Sequence, residues 1–496
     1  MKLKRLCDAA GMDCPRAHWE DEVFGIVTDS RQVRDGTMFV CVRGFHSDGH
    51  DFIADAIRAG SKWIVVEEDC KILPNESVTY LFSKNVRRTL SFLFYEWFER
   101  PCERLKMIGV TGTNGKSTVT HLIAGILMDQ GLKCGLIGTL GCFFDGVPMD
   151  GGGIGTMTTP DPEHLYRILA DLVEQNAEYV IMEVSSHALA LEKVAPIQFQ
   201  IAVFTNLTPE HLDFHENMKA YANAKAKLFS QSDISVINHD SEYAEQMIAA
   251  SMGQIITCSA EFGTCDYVAD EISVSCDGIS YRLCEKQKET DIFSSIVGAF
   301  HIMNSMQAAV CALKIGISSS AVSASLANAK GAKGRMERVV LPNGAPFTVM
   351  IDFAHTPDAL ENLLLTVNEI RRTGERIVLL FGCGGDRDPY KRPVMGQIAS
   401  VYADRVYLTS DNCRTEDREA ILRDILQGFD LSTPCTVISD RREAIRQAIL
   451  TAQSGDIILL AGKGHEEYEI DANGCHPFSE TEIVYDAYAL RIKNIS

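Results

Sequence analysis

The stretch Gly109-Val-Thr-Gly-Thr-Asn-Gly-Lys-Ser-Thr118 decides how the rest of the chain is interpreted. An apolar run from Leu105 to Val110 predicts a buried strand, and Thr118 to Leu127 carries apolar residues at helical spacing. A strand, a glycine-rich turn, Lys-Ser and a helix are the parts of a loop whose backbone N–H groups bind phosphate. We expect Lys116 to reach the terminal phosphates and Ser117 to help hold Mg²⁺.

The loop departs from the strict phosphate-loop pattern at one position, because Val110 stands where that pattern has glycine. The alternative is a glycine-rich turn between strand and helix that binds no ligand. Lys116 and Ser117 stand where phosphate chemistry needs them, and they favour the phosphate-binding hypothesis over that alternative.

Length and charge limit the classes of protein that this chain can belong to. It has 496 residues, which predicts about three domains. Apolar residues make up 46% of it, enough for several cores, and its formal charge is −20. Binding to nucleic acid requires basic surfaces, so no nucleic-acid partner is expected. A nucleotide bound in a local pocket remains compatible with this charge.

Cysteines and apolar runs indicate the cellular compartment. The sixteen cysteines form no CxxC pair and are scattered through apolar segments, which is typical of reduced thiols in a cytosolic protein. No apolar run approaches the ~20 residues of a membrane span, so no membrane insertion is expected. The N-terminus, Met-Lys-Leu-Lys-Arg, is not followed by the apolar region of a signal peptide. We therefore expect a cytoplasmic protein.

Strands and helices alternate along the chain, which predicts an α/β protein of three domains. The first is a small α/β domain over residues 1–101, ending near Arg100-Pro101. The second, residues 102–335, carries the phosphate loop, and its continuously apolar strands predict a mostly parallel sheet. The stretch Lys330-Gly-Ala-Lys-Gly-Arg335 is interpreted as a linker. The third domain, residues 336–496, has a doubly wound, Rossmann-like pattern.

In the second domain, ionisable residues follow two predicted strands. Glu183 lies near the end of the run Tyr179–Val184, where a carboxylate is well placed to bind Mg²⁺. His211, Asp213 and His215 follow the next strand and form a second candidate set of metal ligands. The bland alternatives are a surface acid and structural histidines.

In the third domain, glycines with charged side chains follow four predicted strands. The four segments are Asp352-Phe-Ala-His355, Gly382-Cys-Gly-Gly-Asp-Arg-Asp388, Ser410-Asp-Asn-Cys-Arg-Thr-Glu-Asp417 and Gly462-Lys-Gly-His-Glu466. Each alone is compatible with an ordinary polar turn. Together on one edge of a sheet they predict a cleft for a small zwitterionic molecule. Arg387 and Arg414 suit bidentate capture of a carboxylate.

These motifs together resemble those of the Mur ligases, most closely the MurE type, the UDP-N-acetylmuramoyl-tripeptide synthetases. The resemblance runs nearly end to end. The motifs that carry it are Asp29-Ser-Arg31, Asp48-Gly-His50, Gly112–Ser117, Thr158-Thr-Pro160, Glu183-Val-Ser-Ser-His187, Thr205-Asn-Leu207, His211-Leu-Asp213, Gly334-Arg-Met-Glu337, Asp352-Phe-Ala-His-Thr-Pro357, Gly384-Gly-Asp-Arg-Asp388 and Gly462-Lys-Gly-His-Glu466.

The resemblance implies an ATP- and Mg²⁺-dependent enzyme of peptidoglycan precursor synthesis. Its three domains would bind the uridine nucleotide, ATP and the incoming amino acid, in that order. The γ-phosphate would pass to the D-glutamyl carboxylate of UDP-MurNAc-L-Ala-D-Glu, and the amine of a diamino acid would displace it. A carboxylate is a poor electrophile until one of its oxygens becomes a leaving group, which agrees with this sequence of steps. A monomer without further macromolecular partners is expected.

The resemblance also assigns residues. The uridine nucleotide and its dipeptide would be contacted by Ser30, Phe45, His46, Ser47, Thr158, Thr159, Ser185 and Lys193. ATP would be contacted by Gly112, Thr113, Asn114, Gly115, Lys116, Ser117, Thr118, Asn304, Arg335, Asp352 and His355. The metal ligands would be Ser117, Glu183, His211 and Lys225, the last as an N-carboxylated lysine. The catalytic set would be Lys116, Glu183, His211 and Lys225. The amino acid would be contacted by Arg387, Asp411, Asn412, Cys413, Arg414, Gly462 and Glu466.

The amino-acid motif departs from the family pattern. Members that use meso-diaminopimelate carry Asp-Asn-Pro-Arg, whereas this chain has Asp411-Asn-Cys-Arg414. Arg414 would pair with the second carboxylate of diaminopimelate, which lysine lacks. Cys413 in place of proline makes the loop less rigid. Smaller departures are Leu191, Lys193, Phe353 and His301, and none of them removes a catalytic group.

Three alternatives stay open at this point. The same ligase could use L-lysine or another diamino acid. A folylpolyglutamate synthetase-like ligase is a sister class, which has Gly-Thr-Asn-Gly-Lys-Gly at the loop and lacks the uridine-binding domain. A non-catalytic nucleotide-binding protein is disfavoured because every catalytic position is filled.

Overall fold

The computed structural model describes residues 1–44, 47–70, 77–149, 157–261, 263–275, 277–286, 288–329, 333–342, 344–430 and 432–495, without the side chains of Asp213, Asn494 and Ile495. These residues form two compact units. The first unit comprises residues 1–268, 285–288 and 306–322. The second unit comprises residues 269–284, 289–305 and 323–496.

The N-terminal part of the first unit is a four-stranded parallel sheet with helices on both faces. Its elements are α1 (Leu3–Ala10), β1 (Gly25–Val27), β2 (Thr37–Val40), α2 (Ile53–Arg58), β3 (Trp63–Glu67), β4 (Thr79–Ser83) and α3 (Val86–Trp97). The strand order is β1-β2-β3-β4. Alternate residues of β2 enter two cores, Met38 with α1 and α3, and Phe39 with α2. A strand covered on both faces is continuously apolar, which explains its sequence.

A larger, mostly parallel sheet follows in the same unit. Its elements are β5 (Lys106–Thr111), α4 (Lys116–Asp129), β6 (Cys134–Gly138), β7 (Gly141–Phe144), β8 (Val147–Pro148), α5 (Pro162–Glu174), β9 (Tyr179–Glu183), α6 (Ser186–Ala190), β10 (Phe199–Phe204), α7 (Leu212–His215), α8 (Met218–Ala226), β11 (Ser232–Asn238), α9 (Ala244–Ala250) and β12 (Gln254–Ser259). The strand order is β12-β11-β10-β5-β9-β6-β7-β8.

The register of this sheet positions the site. Strand β5 lies between β9 and β10, parallel to both, with Val110 opposite Glu183 and Thr111 opposite Phe204. The three strands therefore end at one edge, and the segments that follow them converge there.

The N-terminal sheet and the larger sheet share one hydrophobic core within the first unit. The ring of Tyr95 in α3 meets that of Tyr166 in α5 edge-on at 6.0 Å. Glu99 and Arg100 have φ of 60° and 54° and turn the chain between the two sheets, directly before Pro101. The predicted junction at Arg100-Pro101 coincides with this turn. The predicted domain boundaries themselves stay predictions.

Several elements between residues 267 and 327 have residues in both units, among them β13 (Tyr267–Ser275) and α10 (Phe300–Ile315). In the first unit, Tyr267 and Val268 pair with the end of β12. Strand β14 (Gly278–Glu285) neighbours β13, and β15 (Lys288–Ser294) neighbours β14. The helix α11 (Ser319–Ala327) follows α10.

The second unit contains a six-stranded doubly wound sheet. Its elements are β16 (Glu337–Arg338), β17 (Thr348–Asp352), α12 (Pro357–Ile370), β18 (Arg376–Phe381), α13 (Lys391–Tyr402), β19 (Arg405–Leu408), α14 (Arg418–Leu426), β20 (Cys435–Val437), α15 (Arg441–Thr451), β21 (Asp456–Ala461), β22 (Tyr468–Asp471), β23 (Gly474–Pro477) and α16 (Glu480–Ile495). The order is β16-β17-β21-β18-β19-β20, parallel except for β16. The α/β class, the mostly parallel sheet after the phosphate loop and the Rossmann-like pattern of the C-terminal part are confirmed.

Several local expectations differ from the structure in detail. Helix α4 begins at Lys116, two residues before the apolar pattern starts, because the first turn carries the polar phosphate-loop residues. Hairpins β7–β8 and β22–β23 were not expected from periodicity. Of the predicted linker, residues 330–332 lie outside the described residues. No helix in the described part is long and apolar enough to span a bilayer. The fifteen cysteines in the described part are all free thiols.

Candidate active site

The phosphate loop is held by the segment after β10. Thr113 N donates to Asn206 O at 2.9 Å, and Asn114 N donates to Asn206 Oδ1 at 2.9 Å. The Thr205 hydroxyl donates to Asn114 O at 2.5 Å. A Cβ on Gly112 would lie 1.9 Å from the Thr205 hydroxyl, so this close approach requires glycine. The loop is therefore preorganised by tertiary contacts as well as by its glycines.

Lys116 and Ser117 begin helix α4, with Thr118 buried in the same turn. The Lys116 ammonium donates to Gly112 O at 2.9 Å and to Thr113 O at 2.8 Å, so it lies over the loop. A cation beside the amino end of a helix and a glycine-rich turn favours the binding of phosphate at this position.

Glu183 ends β9 with its carboxylate directly beside Ser117. Ser117 Oγ donates to Glu183 Oε1 at 2.9 Å. Thr139 donates to the same carboxylate from its backbone N at 3.1 Å and from its hydroxyl at 3.1 Å. Glu183 is 1% exposed, and the hydrogen-bond donors described to its carboxylate, from Ser117 and Thr139, are neutral. Because a buried carboxylate partnered by neutral donors is costly, this carboxylate is a candidate ligand for a cation.

Gly138, the last residue of β6, leaves room for this carboxylate. A Cβ on Gly138 would lie 2.3 Å from Glu183 Oε1. We expect Gly138→Ala to push the carboxylate away from Ser117 and to reduce turnover by roughly tenfold or more, since small misplacements of catalytic groups have large kinetic effects. Steady-state phosphate release checks this expectation.

The matched control is Gly125→Ala in helix α4, where an added Cβ meets nothing within 4 Å. It should leave turnover unchanged and should not lower the melting temperature, since alanine is favoured over glycine inside helices. Equal turnover in both variants would remove the packing role assigned to Gly138.

Lys225 is buried at the base of the loop. It is 1% exposed, its ammonium donates to Gly112 O at 2.8 Å, and it lies 4.6 Å from the centre of the Tyr221 ring. Burial, with Lys116 nearby, holds the pKa of Lys225 well below its usual range, against an opposing effect of Glu210. Lys225 is therefore not the solvated charge that a helix lysine usually is.

The histidines after β10 do not form one set. His211 has φ of 54°, its side chain is 46% exposed, and its ring lies 4.8 Å from that of His187. His215 is buried, with Nε2 2.9 Å from the Ser186 hydroxyl. The Asp213 side chain lies outside the described residues. In the described part, no three His, Cys, Asp or Glu side chains are grouped to hold a metal. The hypothesis of His215 as a ligand is therefore unsupported, and His211 stays a prediction.

Four residues predicted to contact the dipeptide do lie together near Glu183. Thr159 Oγ1 donates to Glu183 O at 2.9 Å and accepts from Ser185 N at 3.0 Å. Lys193 Nζ lies 3.4 Å from Thr159 O, and it is buried. The Thr158 hydroxyl oxygen lies 3.1 Å from Thr139 Oγ1. These contacts connect the four residues with Thr139 and Glu183, beside the candidate cation site.

The residues expected to contact the uridine nucleotide lie in the N-terminal part. Ser30 begins a short 3₁₀ helix that is capped by the Asp29 carboxylate through Arg31 N at 3.0 Å. Gly44 N donates to Ser47 O at 2.9 Å. Phe45 and His46 lie outside the described residues. These assignments stay predictions.

The nucleotide residues predicted in the second unit surround Phe353. The Arg335 guanidinium lies 5.1 Å from the Phe353 ring and the His355 ring 4.4 Å from it. Asp352 accepts from Met336 N and Ala354 N, both at 2.8 Å, and burial raises the pKa of its carboxyl. Arg335, Asp352 and His355 thus form one cluster.

Asn304 is buried in α10. Its amide nitrogen lies 3.2 Å from His301 Nδ1, and burial lowers the pKa of His301 to about 3, which keeps the ring neutral. The predicted contact of Asn304 with the adenine base stays a prediction.

Most residues predicted to contact the amino acid lie near strand ends in the second unit. Asp411 and Asn412 are buried, beginning three residues after the last residue of β19, and the Asn412 Nδ2 donates to Glu466 Oε2 at 2.7 Å. Gly462 N donates to Asp352 O at 3.0 Å at the end of β21. Arg441 is 1% exposed and donates to Ala461 O at 2.9 Å. The ends of neighbouring strands therefore present these groups together.

The two arginines predicted to bind a carboxylate differ in their surroundings. Arg414 has φ of 51° and donates to Gly385 O at 2.8 Å. This hydrogen bond orients the guanidinium and leaves other N–H groups of it available to a further acceptor. Arg387 is exposed. Cys413 is buried, with Sγ 3.9 Å from Ile470 O. Without the ring of a proline, this loop is held by packing against β22.

Family models match three parts of the chain. "Mur ligase family, catalytic domain" matches residues 22–90, "Mur ligase middle domain" 110–312, and "Mur ligase, glutamate ligase domain" 334–464. A UDP-N-acetylmuramoyl-L-alanyl-D-glutamate–2,6-diaminopimelate ligase of Syntrophomonas wolfei is 38% identical and covers 99% of this chain and 100% of its own. The chain belongs to the Mur ligase family. The protein is therefore a ligase, of the ATP-dependent, amide-forming kind that this family comprises.

Two further comparisons agree along the whole length. The relative of the same name from Geobacillus kaustophilus is 40% identical over 475 residues, 93% of this chain and 94% of its own. A solved structure of a UDP-N-acetylmuramoyl-L-alanyl-D-glutamate–2,6-diaminopimelate ligase matches with a TM-score of 0.74 and 32% identity, covering 98% of this Mur ligase and 99% of its own chain.

Some residues that shape the site had no predicted role, although Thr205, Asn206 and Lys463 stand within motifs that carry the family resemblance. Thr205 and Asn206 support the phosphate loop, Thr139 completes the donors to Glu183, and Lys463 is buried within the amino-acid pocket. Each of these residues follows an apolar strand directly or within two residues. This position at the end of a strand was the sequence signal that could have identified them.

Proposed function

We propose that this Mur ligase adds a diamino acid, meso-diaminopimelate, to UDP-MurNAc-L-Ala-D-Glu at the expense of ATP, in peptidoglycan precursor synthesis. The observation that carries the ligase chemistry is the phosphate loop with the Ser117 hydroxyl 2.9 Å from the buried Glu183 carboxylate. The near full-length similarity to ligases named for diaminopimelate supports the choice of substrates.

The reaction needs an activated carboxylate. An oxygen of the D-glutamyl carboxylate attacks the γ-phosphorus of ATP, the bond to ADP breaks, and an acyl phosphate forms. The neutral amine of the diamino acid then attacks the acyl carbon, and phosphate leaves with the bonding electrons while the nitrogen loses a proton. Lys116 and the loop N–H groups stabilise charge on the transferring phosphoryl group.

The residues beside the loop fit a Mg²⁺ ion. Ser117 and Glu183 supply a hydroxyl and a carboxylate oxygen, which are the hard ligands that Mg²⁺ prefers. Mg²⁺ usually retains several waters and phosphate oxygens, so a preformed protein cage is not required. When bound, it would neutralise charge on the phosphates of ATP. His211 is proposed as a further ligand on the resemblance alone.

Lys225 is proposed to be N-carboxylated. A neutral amine attacks the carbon of CO₂, a C–N bond forms and one proton is lost, which leaves an anionic carbamate. Burial lowers the pKa of Lys225, which favours the neutral amine that this step requires. The product places anionic oxygens beside Lys116 and the loop, where a cation and phosphates are expected.

The choice of diaminopimelate over lysine rests on Arg414. Its guanidinium is anchored by Gly385 O and retains N–H groups for a second partner. A bidentate pair with a carboxylate is available to diaminopimelate and not to lysine, whose side chain ends in an amine alone. Glu466, held by Asn412, supplies a negative charge for an ammonium group of the substrate.

An amino-acid panel tests the proposal. With ATP, Mg²⁺ and UDP-MurNAc-L-Ala-D-Glu, we expect phosphate release with meso-diaminopimelate and at least ~100-fold lower kcat/KM with L-lysine, since one charged pair is lost. In Arg414→Met the two amino acids should differ much less. Turnover with L-lysine alone would overturn the diaminopimelate assignment. Release with glutamate and a folate would favour the folylpolyglutamate alternative, and release independent of an amino acid would favour a non-ligase.

We further infer a cytoplasmic monomer with three domains, residues 1–101, 102–335 and 336–496. ATP, the uridine nucleotide and the free amino acid are small, charged molecules, so no macromolecular partner is needed to deliver them. The Ser30, Ser47 and Phe45-His46 region is proposed for the uridine nucleotide, and the cluster around Phe353 with Asn304 for ATP.

A further inference from the structure

Lys463 is a fully buried lysine inside the proposed amino-acid pocket. It follows Gly462 at the end of β21 and is 0% exposed. Its ammonium donates to Asn412 Oδ1 at 2.9 Å and to Tyr468 O at 2.8 Å, and lies 3.8 Å from Asp411 Oδ1. The Lys463 ammonium is therefore directed at Asn412, Tyr468 and Asp411.

The contacts of Lys463 determine how the Asn412 side chain is oriented. Its Oδ1 accepts from two donors, Lys463 Nζ and Ile470 N, each at 2.9 Å. A flipped amide would place its NH₂ group against an ammonium and an N–H, with no acceptor for either. The Nδ2 is therefore directed to Glu466, whose Oε2 accepts from it at 2.7 Å.

The electrostatic surroundings explain why an ammonium can be kept here. Burial lowers the pKa of Lys463, and Arg441 acts in the same direction, while the Asp411, Glu466 and Glu480 carboxylates oppose them. Arg441 is itself paired with Glu480 at 2.8 Å. A buried cation without such partners would be strongly unfavourable. The Lys463 ammonium and the polar groups around Asp411 and Asn412 therefore stabilise each other.

We propose that Lys463 is a positioning residue for the incoming amino acid: it locks the Asn412 amide in the orientation that directs its Nδ2 to Glu466, and so fixes where the Glu466 carboxylate meets the ammonium group of the substrate. This rests on the proposed function, since it takes this pocket as the amino-acid site. Lys463 acts through Asn412 and Glu466 and does not touch the substrate.

Kinetics of Lys463→Met test the proposal, because methionine keeps the length of the side chain and removes its donors. With the amino acid that supports turnover in the wild-type enzyme, we expect KM for that amino acid to rise about tenfold or more, the scale of a lost charged hydrogen bond. The KM values for ATP and UDP-MurNAc-L-Ala-D-Glu should change less than about twofold, since their residues are not contacted by Lys463.

A double-mutant cycle separates positioning from a general packing role. If Lys463 acts through Asn412, adding Lys463→Met to Asn412→Ala should raise the amino-acid KM little further, whereas independent effects would multiply. Multiplying effects, or an unchanged amino-acid KM in Lys463→Met, would overturn the proposal. Failure of every diamino acid with the wild-type enzyme would instead overturn the proposed function.

The matched control removes another buried ionic contact of the same sheet at its opposite end. Arg376 begins β18 and donates to the buried carboxylate of Asp456 at 2.8 Å. Arg376→Met should lower the melting temperature and leave the amino-acid KM unchanged. A rise in that KM equal to the rise in Lys463→Met would show that loss of stability alone is the cause, and would overturn the positioning role.

Discussion

Lys225→Ala is expected to reduce phosphate release by roughly a thousandfold, the scale of losing a group that stabilises transition-state charge. Lys225 is buried beside the phosphate loop, with its Nζ 2.8 Å from Gly112 O. A solvent-exposed side chain elsewhere could not make the same contact with the loop. The measurement is steady-state phosphate release with all three substrates. Bicarbonate or a short carboxylate added to the alanine variant should restore part of the rate, because it supplies the missing anionic oxygens.

Lys227→Ala is the matched control for this prediction. Lys227 lies two residues further on, its side chain is 46% exposed, and it pairs with Glu192 at 2.5 Å. Its replacement should leave the rate within about twofold, since exposed ion pairs contribute little. Full activity in Lys225→Ala would remove the carbamate from the mechanism. Equal loss in both variants would point to damaged folding of α8 instead.

Glu183→Gln is expected to reduce turnover about a hundredfold or more, and to raise the Mg²⁺ concentration needed for half-maximal rate. Glutamine keeps the shape of the side chain and one acceptor oxygen for Ser117, but it removes the negative charge that a cation requires. Because the Glu183 carboxylate is buried with neutral donors, its neutralisation should not lower the melting temperature. Rates measured across a Mg²⁺ titration, with the melting curve of each variant, check both statements.

Glu178→Gln provides the control at the opposite end of the same strand. Glu178 is exposed and directly precedes β9. Its replacement should alter neither the rate nor the Mg²⁺ dependence. A Glu183→Gln variant with a normal rate and normal Mg²⁺ dependence would contradict the assignment of this carboxylate to the cation.

Much of the architecture was predictable because its signals are local. Continuously apolar runs predicted strands of a mostly parallel sheet, and the run Tyr179–Val184 corresponds to β9, which is parallel to β5. The polar segments at the ends of these strands were expected to gather at one edge, since parallel strands share their direction. The hairpins β7–β8 and β22–β23 escaped prediction because exposed two- to four-residue strands carry almost no periodicity.

The sequence indicated which residues are candidates for the site better than it indicated how their side chains are arranged. Sequence alone marked Glu183 and Ser117 as separate candidates, whereas the pairing of their side chains at 2.9 Å depends on the register between β5 and β9. The surroundings of His215 likewise could not be predicted from sequence. A histidine near other ionisable residues in sequence resembles a metal ligand, and only the folded chain shows its hydrogen bond to Ser186 in the interior.

The sequence by itself determined that this protein has a phosphate loop, an α/β fold with mostly parallel sheets and the motifs of a Mur ligase, because each of these is written in contiguous residues. Only the tertiary structure decided the surroundings of two of its buried lysines, Lys225 and Lys463. Local sequence patterns do not distinguish these two residues from ordinary solvated lysines. Burial against Gly112 in the first case, and against Asn412 in the second, gives each a fixed position and a lowered pKa. The physical reason is that desolvation and hydrogen-bond partners come from residues distant in sequence, which no local pattern can specify.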